Sequence, residues 1–302
     1  MIPVRCSSSA PCLALETTLL CHGVPREAAL SLHDELEAVA RGAGASPTLV
    51  GVLEGRAVAG LTRDELAVLV RSGVPKANSS NLAALMAAGA SAATTVSATM
   101  EIAAAAGIRV FSTGGIGGVH QGYAHHLDVS SDLAALVRFP VAVVAAGVKS
   151  ILDVAATREA LETFGVPVWG FQTDVFPEFY SRGRDHTVDA RFETHEALAA
   201  AAARTIAATG RGVLIVNPIP ESSAIPETQW TNWLTAAGQI ATAKGARGRG
   251  VTPAVLAALH EVSAGATLRA NIELVRSNVA LGAALARIMA TVTKSDFPIH
   301  AG

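Results

Sequence analysis

Residues Pro140–Phe171 read PVAVVAAGVKSILDVAATREALETFGVPVWGF. Pro140–Ala146 is an unbroken apolar run, the pattern of a strand buried on both faces in the middle of a parallel sheet. The turn Gly147-Val148-Lys149-Ser150 ends it. A run with helical spacing then extends from Ile151 to Phe164, and a second strand covers Val166–Phe171. Strand, helix and strand in that order make a crossover unit, so the class is α/β. The expected architecture is three-layer α/β/α around a central, largely parallel mixed sheet.

The flanks continue the alternation. Upstream lie a buried strand over Cys12–Thr18 carrying Glu16, a turn at Cys21–Pro25, a helix over Arg26–Arg41 and a strand over Pro47–Leu53. Thr62 and Glu65 form a capping box for a helix that stops at Ser72-Gly73. Lys76 sits in a short extended piece. Ser80 or Asn81 caps a helix through Ala88, and Thr94–Ser97 precedes an Ala-rich helix ending at Gly107. Downstream come a loop-rich stretch over Gln172–Arg191, a helix over Thr194–Thr209, a strand over Gly212–Val216 and three closing helices, about Glu227–Ala243, Pro253–Ser263 and Leu268–Met289. With no linker or internal repeat, 1–302 reads as a single domain, with 1–11 and 291–302 as flexible tails.

Composition narrows the function. Half of the 302 residues are hydrophobic and 16% are charged, so the chain has a core to bury. A net charge of −2 without a basic block argues against nucleic acid and membrane surfaces as partners. Cys6, Cys12 and Cys21 make neither a zinc pattern nor a disulfide framework. No window reaches the roughly 20 apolar residues of a membrane span, and the first eleven residues lack a signal-peptide core. A soluble cytoplasmic protein is expected.

In open α/β sheets ligands bind beyond the carboxyl ends of strands. That rule gathers Glu16, Ser112, Thr113, Lys149 and Asn217. Lys149 follows an apolar strand with no other charge nearby in sequence. An amine in such a setting loses its proton more readily and becomes a nucleophile, the alternative being a helix-start lysine reaching solvent. Ser112-Thr113-Gly114-Gly115-Ile116-Gly117-Gly118 matches neither a dinucleotide fingerprint nor a phosphate loop. It reads either as a wall around a ligand or as a solvated surface loop. His120, His125 and His126 are a weak zinc pattern. Asp128 with water suits a hard cation such as Mg2+ or Mn2+ better. Glu101 and Asp153 read as solvated or capping, and Trp169, Trp230 and Trp233 as packing residues.

Longer strings carry more. ALETTLLCHGVP, SAATTVSATM, AGIRVFSTGGIGGVHQG, LDVSSDL, VAAGVKSILD, ETFGVPVWGFQT, VNPIPE and LRANIELVRSNVALGA occur in this order between about residues 14 and 289. They resemble the pseudouridine-5′-phosphate glycosidases, which share a fold with indigoidine-synthase-A-like proteins. The resemblance implies reversible cleavage of pseudouridine 5′-phosphate to uracil and ribose 5-phosphate, one divalent ion (usually Mn2+, with Mg2+ or another possible), a homotrimer and a pseudouridine kinase as pathway partner. By the same resemblance Lys149 is the Schiff-base nucleophile, Glu16 the proton donor and Asp128 the sole protein ligand of the metal. Lys76, Val96, Ser130, Ser131 and Asp132 match substrate contacts, and Thr113, His120 and Asn271 match polar positions lining the site.

A C–C glycosidic bond has no leaving-group oxygen or nitrogen to protonate, so the two-carboxylate scheme of ordinary glycosidases does not reach it. Opening the sugar ring on a lysine does. The chain departs from the family pattern where Gln121 replaces an arginine, His126 replaces a hydroxyl residue and PKANSSN lacks arginines after Lys76. These exchanges bear on the phosphate requirement and the base more than on the lysine chemistry. Two rival expectations follow: a C-glycosidase or C-glycosynthase acting on another ring in secondary metabolism, and a non-catalytic sugar-phosphate-binding protein.

Overall fold

The structure, a computed structural model, describes residues 2–7, 11–243, 245 and 251–291. Strands β1 (Val4–Cys6) and β2 (Cys12–Glu16) come first, and a π-helix at Leu19–Gly23 leads into helix α1 (Arg26–Gly42). Strands β3 (Ser46–Leu53) and β4 (Arg56–Ala59) form a hairpin. Helix α2 (Arg63–Ser72) starts on the Thr62–Glu65 capping box, worth about 1 kcal/mol, and stops at Gly73 in the left-handed region at φ 59°. Then follow β5 (Lys76–Ala77), α3 (Leu82–Ala87), β6 (Ala92–Thr94), α4 (Val96–Ala105), β7 (Val110–Ser112), β8 (Val119–His120), α5 (Tyr123–His126) and α6 (Ser131–Arg138). The central strand β9 (Ala142–Ala145) precedes β10 (Leu152–Asp153), α7 (Val154–Thr163), β11 (Val168–Phe171), β12 (Ala190–Phe192), α8 (His195–Thr209) and β13 (Val213–Val216). Helices α9 (Glu227–Ala243), α10 (Val251–Val262) and α11 (Ala266–Met289) close the described chain.

The main sheet runs β1-β4-β3-β2-β7-β9-β13-β11-β12, with β6 paired to β3 and β5 to β6. Pairing is parallel except for β3–β4 and β3–β6, so the sheet is mixed and largely parallel, as expected. Strand residues alternate between two cores. Leu13, Leu15, Val110, Ala142, Val144, Val213 and Ile215 face α1, α2, α8 and α11. Ala14, Phe111, Val143, Ala145, Leu214 and Val216 face α4, α6 and α7. This is the three-layer arrangement. Each fully buried Leu, Val or Phe of these cores contributes roughly 1.5–3 kcal/mol of transfer free energy.

Several local expectations are corrected. Cys21–Pro25 is not a simple turn, because the π-helix already occupies Leu19–Gly23. Helix α7 does not begin at Ile151: Leu152-Asp153 pairs with β8, and the Asp153 side chain then caps the helix by accepting from Ala156 N. Strand β6 precedes the Ala-rich helix, and β12 lies at the end of the loop-rich stretch. Within the expected N-terminal tail, Val4–Cys6 pairs in parallel with β4, whose free edge accepts it. The C-terminal tail beyond 291 lies outside the described residues. Trp169 and Trp230 pack as anticipated, their rings each 5.3 Å from those of Phe192 and Tyr180.

Candidate active site

The carboxyl ends of β2, β7 and β9 lie side by side in the middle of the sheet, and each delivers a polar residue to one place. Glu16 ends β2 and is 8% exposed. Thr113, one residue past β7, donates its hydroxyl to Glu16 Oε1. Burial pushes the Glu16 carboxyl above its ordinary range. Lys149, the Thr113 bond and Lys76 pull the other way, and Asp132 adds to the rise, with burial dominating. A carboxyl that holds its proton more firmly than a solvated one is suited to acting as a general acid.

Lys149 enters from β9 through a tightly set turn. Gly147 adopts φ 80°, and a Cβ there would lie 1.8 Å from Pro177 O, so only glycine fits. The Lys149 backbone is fixed on both sides, its N–H donating to Ile116 O at 3.1 Å and its carbonyl accepting from Leu152 N at 2.9 Å. Lys76 stands on β5 at the exposed mouth. Partial enclosure and the Lys149 ammonium lower its pKa, opposed by Glu16. Glu16, Lys149 and Lys76 therefore act on one another in one electrostatic group, assembled from positions 16, 76 and 149.

The glycine loop is a wall and not a solvated tether. A Cβ on Gly117 would lie 2.3 Å from Ser130 Oγ, and one on Gly118 2.3 Å from Thr157 Oγ1. Asp132 holds this wall to its neighbours: Oδ2 accepts from Gly117 N at 2.8 Å and Oδ1 from Ser97 N at 2.9 Å. Ser130 caps α6 by accepting from Asp132 N, and Ser131 Oγ meets Ser97 Oγ at 2.9 Å. The N-termini of α4 and α6 are thus tied to each other, next to the β5–β6 pair that carries Lys76, with Ser97 N and Asp132 N already accepted by Asp132 and Ser130.

The family model for indigoidine synthase A like protein matches residues 3–288. The chain belongs to that family. The resemblance carried by the sequence strings is therefore confirmed. Among indigoidine synthase A-like relatives, a pseudouridine-5′-phosphate glycosidase from a Nocardioides species is 44% identical over 92% of this chain and 91% of its own. One from a Jannaschia species is 44% identical over 94% and 95%. Two solved structures share the fold. An indigoidine synthase A-like protein from Thermotoga maritima superposes at TM-score 0.85 with 34% identity, covering 94% of this chain and 96% of that one. The prealnumycin C-glycosynthase AlnA, solved with ribulose 5-phosphate, superposes at 0.86 with 32% identity, covering 95% and 97%.

The remaining singled-out residues of this indigoidine synthase A-like chain are less tightly gathered. Asp128 is 60% exposed, with His120 Nδ1 at 3.8 Å from Oδ2. No group of three His, Cys, Asp or Glu residues able to cage a metal occurs among the described residues. One open carboxylate fits a cation that retains most of its waters, as Mg2+ and similar hard ions do. Nothing is described of the His125 and His126 side chains. Asn271, on α11, keeps Oδ1 buried without a hydrogen-bond partner, 3.2 Å from where a Gly114 Cβ would stand. Glu101 is not simply solvated, since its Oε2 is also buried without a partner.

Sequence reading missed the supports. Thr17, Thr94 and Thr99 form a buried hydroxyl network that ties the exit of β2 to β3, β6 and α4. The paired threonines at 17–18 and 94–95 were its only trace. Asn278 on α11 donates to Thr113 O at 2.8 Å and accepts from Asn217, locking Thr113 against Glu16. His22, on the π-helix, has its pKa lowered by burial and then by Lys76, which places it beside the mouth. No periodic signal marks any of these.

Proposed function

We propose that this chain is a pseudouridine-5′-phosphate glycosidase, cleaving the C–C bond of pseudouridine 5′-phosphate reversibly to uracil and ribose 5-phosphate. The observation that carries the reading is the group formed by Glu16 and Lys149 at the central strand ends with Lys76 on β5, in a chain whose relatives bear that name. Glu16 gives its proton to the ribose ring oxygen as the Lys149 amine attacks C1′. The C1′–O bond breaks, and an open-chain sugar is left on the lysine nitrogen. The ammonium formed at the lysine nitrogen loses a proton, a proton adds at C5 of the uracil, the C1′–C5 bonding pair returns to the base as its C5–C6 double bond, and the freed nitrogen lone pair makes an iminium with C1′. Water releases ribose 5-phosphate and restores the amine. Lys76 and the α4 and α6 N-termini hold the phosphate-bearing sugar, with contacts from Val96, Ser130, Ser131 and Asp132, while Thr113, His120 and Asn271 line the pocket.

Asp128 would hold a largely hydrated divalent ion, Mn2+ in our reading, which would supply positive charge to the anionic substrate when bound. The assembly is a homotrimer in the cytoplasm, served by a kinase that phosphorylates the C-nucleoside; a solution mass of one chain by light scattering would rule the trimer out.

Borohydride added with ribose 5-phosphate should leave a reduced sugar on Lys149 in a peptide map. A map with no modified Lys149 peptide would remove the imine step. Glu16→Gln should lose about 10²-fold or more in turnover while still binding the sugar phosphate. A second reading, C-glycosidic bond formation to another ring, is favoured by the superposition on AlnA at TM-score 0.86. Loss of uracil absorbance on mixing uracil with ribose 5-phosphate and Mn2+ separates the two, since another acceptor ring would leave that absorbance unchanged.

A further inference from the structure

Against Glu16 lies a cavity of about 10 Å3 whose lining includes neither Lys76 nor Lys149. Its polar lining is Glu16, Ser112, Thr113 and His33, and the rest is aliphatic. That volume accommodates about one water, which needs roughly 10–15 Å3 and two or more polar partners. Ser112 already donates to Asn278 O. His33, in the middle of α1, is 2% exposed, and its Nδ1 is buried with no hydrogen-bond partner in the protein. Its other nitrogen, Nε2, lies 3.9 Å from Glu37 Oε1, and the Glu37 side chain is 34% exposed. A buried ring nitrogen without a partner calls for one.

We propose that His33, through a water in this cavity, relays protons between Glu16 and solvent at the Glu37 side of α1. The inference rests on the reading of Glu16 as proton donor. Glu16 must be reprotonated in each cycle, and a substrate seated against Lys149 covers the front of its carboxyl. The route behind it stays open. One proton is taken up at Nε2 while one passes from Nδ1 to the water, and the water passes one to the Glu16 carboxylate; no other bond changes. Neutral imidazole is the form that does this, with a donor on one nitrogen and a lone pair on the other. Burial and Arg63 keep the ring toward that form, against Glu37 and Asp34. The other two polar groups of the lining have their hydroxyl protons committed, Ser112 to Asn278 O and Thr113 to Glu16 Oε1.

The test separates the first turnover from later ones. In His33→Leu, Glu16 has time to take up its proton before substrate is mixed in, so single-turnover formation of the Lys149 adduct should stay within about twofold of wild type. Steady-state kcat should fall about tenfold at unchanged KM, with a larger solvent deuterium effect on kcat. His33→Gln, which keeps polar contacts but passes no proton, should show the same split and serves if the leucine variant fails to fold. Equal losses in both rates would mean that His33 only supports the fold. A wild-type kcat with an unchanged isotope effect would equally overturn the relay. If Glu16→Gln itself kept full turnover, the failure would lie in the reading of Glu16 and not in the relay.

Discussion

Asp128, on the loop before α6, and Asp132, in the first turn of that helix, stand four residues apart and have opposite surroundings. Asp132 is 4% exposed, and each of its oxygens accepts a backbone N–H, one from the glycine wall and one from the start of α4. Asp128 is 60% exposed, with His120 Nδ1 at 3.8 Å. Upstream of both, the loop passes from glycines packed against neighbouring atoms to a tip where Leu127 is 72% exposed with φ 50°. One carboxylate builds the site; the other remains open to a ligand. Glu16 is a third case, buried like Asp132, with the Thr113 hydroxyl donating to it and burial raising its pKa above the ordinary carboxylate range.

That contrast can be broken in order of expected size. Asp132→Ala leaves two buried N–H groups unpaired and should cost about 3 kcal/mol, read from urea unfolding; a loss below 1 kcal/mol would mean the clamp carries little. Glu16→Gln should act on stability with a definite sign. A carboxyl whose folded pKa is raised above its ordinary value of 4.5 leaves stability untouched in acid, where both states are protonated. Stability then falls as pH rises from about 4.5 through the folded pKa. The glutamine variant should therefore unfold at higher urea than wild type at neutral pH and at matching urea near pH 4. Identical midpoints at both values would contradict the raised pKa. Asp128→Ala should change stability by less than about 0.5 kcal/mol, as exposed substitutions do, while altering the response of turnover to added Mn2+. A large loss of stability there would place the loop tip with the wall.

How much of this was legible in sequence depended on range. Thr62–Glu65 and Gly73 signalled their cap and stop because the interactions are local, and Pro140–Ala146 announced a central strand because both its faces are apolar. The π-helix, β10 and the pairing of Val4–Cys6 carried no such signal; each is set by what lies beside it. Strings shared with a family pointed to Glu16 and Lys149, but not to the residues that hold them.

The sequence by itself determined the α/β class, the alternation of faces and the residue types at the strand ends, since periodicity and burial act over a few neighbouring positions. Only the tertiary structure decided that Asp132 clamps while Asp128 stands open, that Asn278 locks Thr113, and that His33 backs Glu16. Those outcomes turn on contacts between residues 15 to 165 positions apart, where packing and desolvation act through space and leave no pattern along the chain.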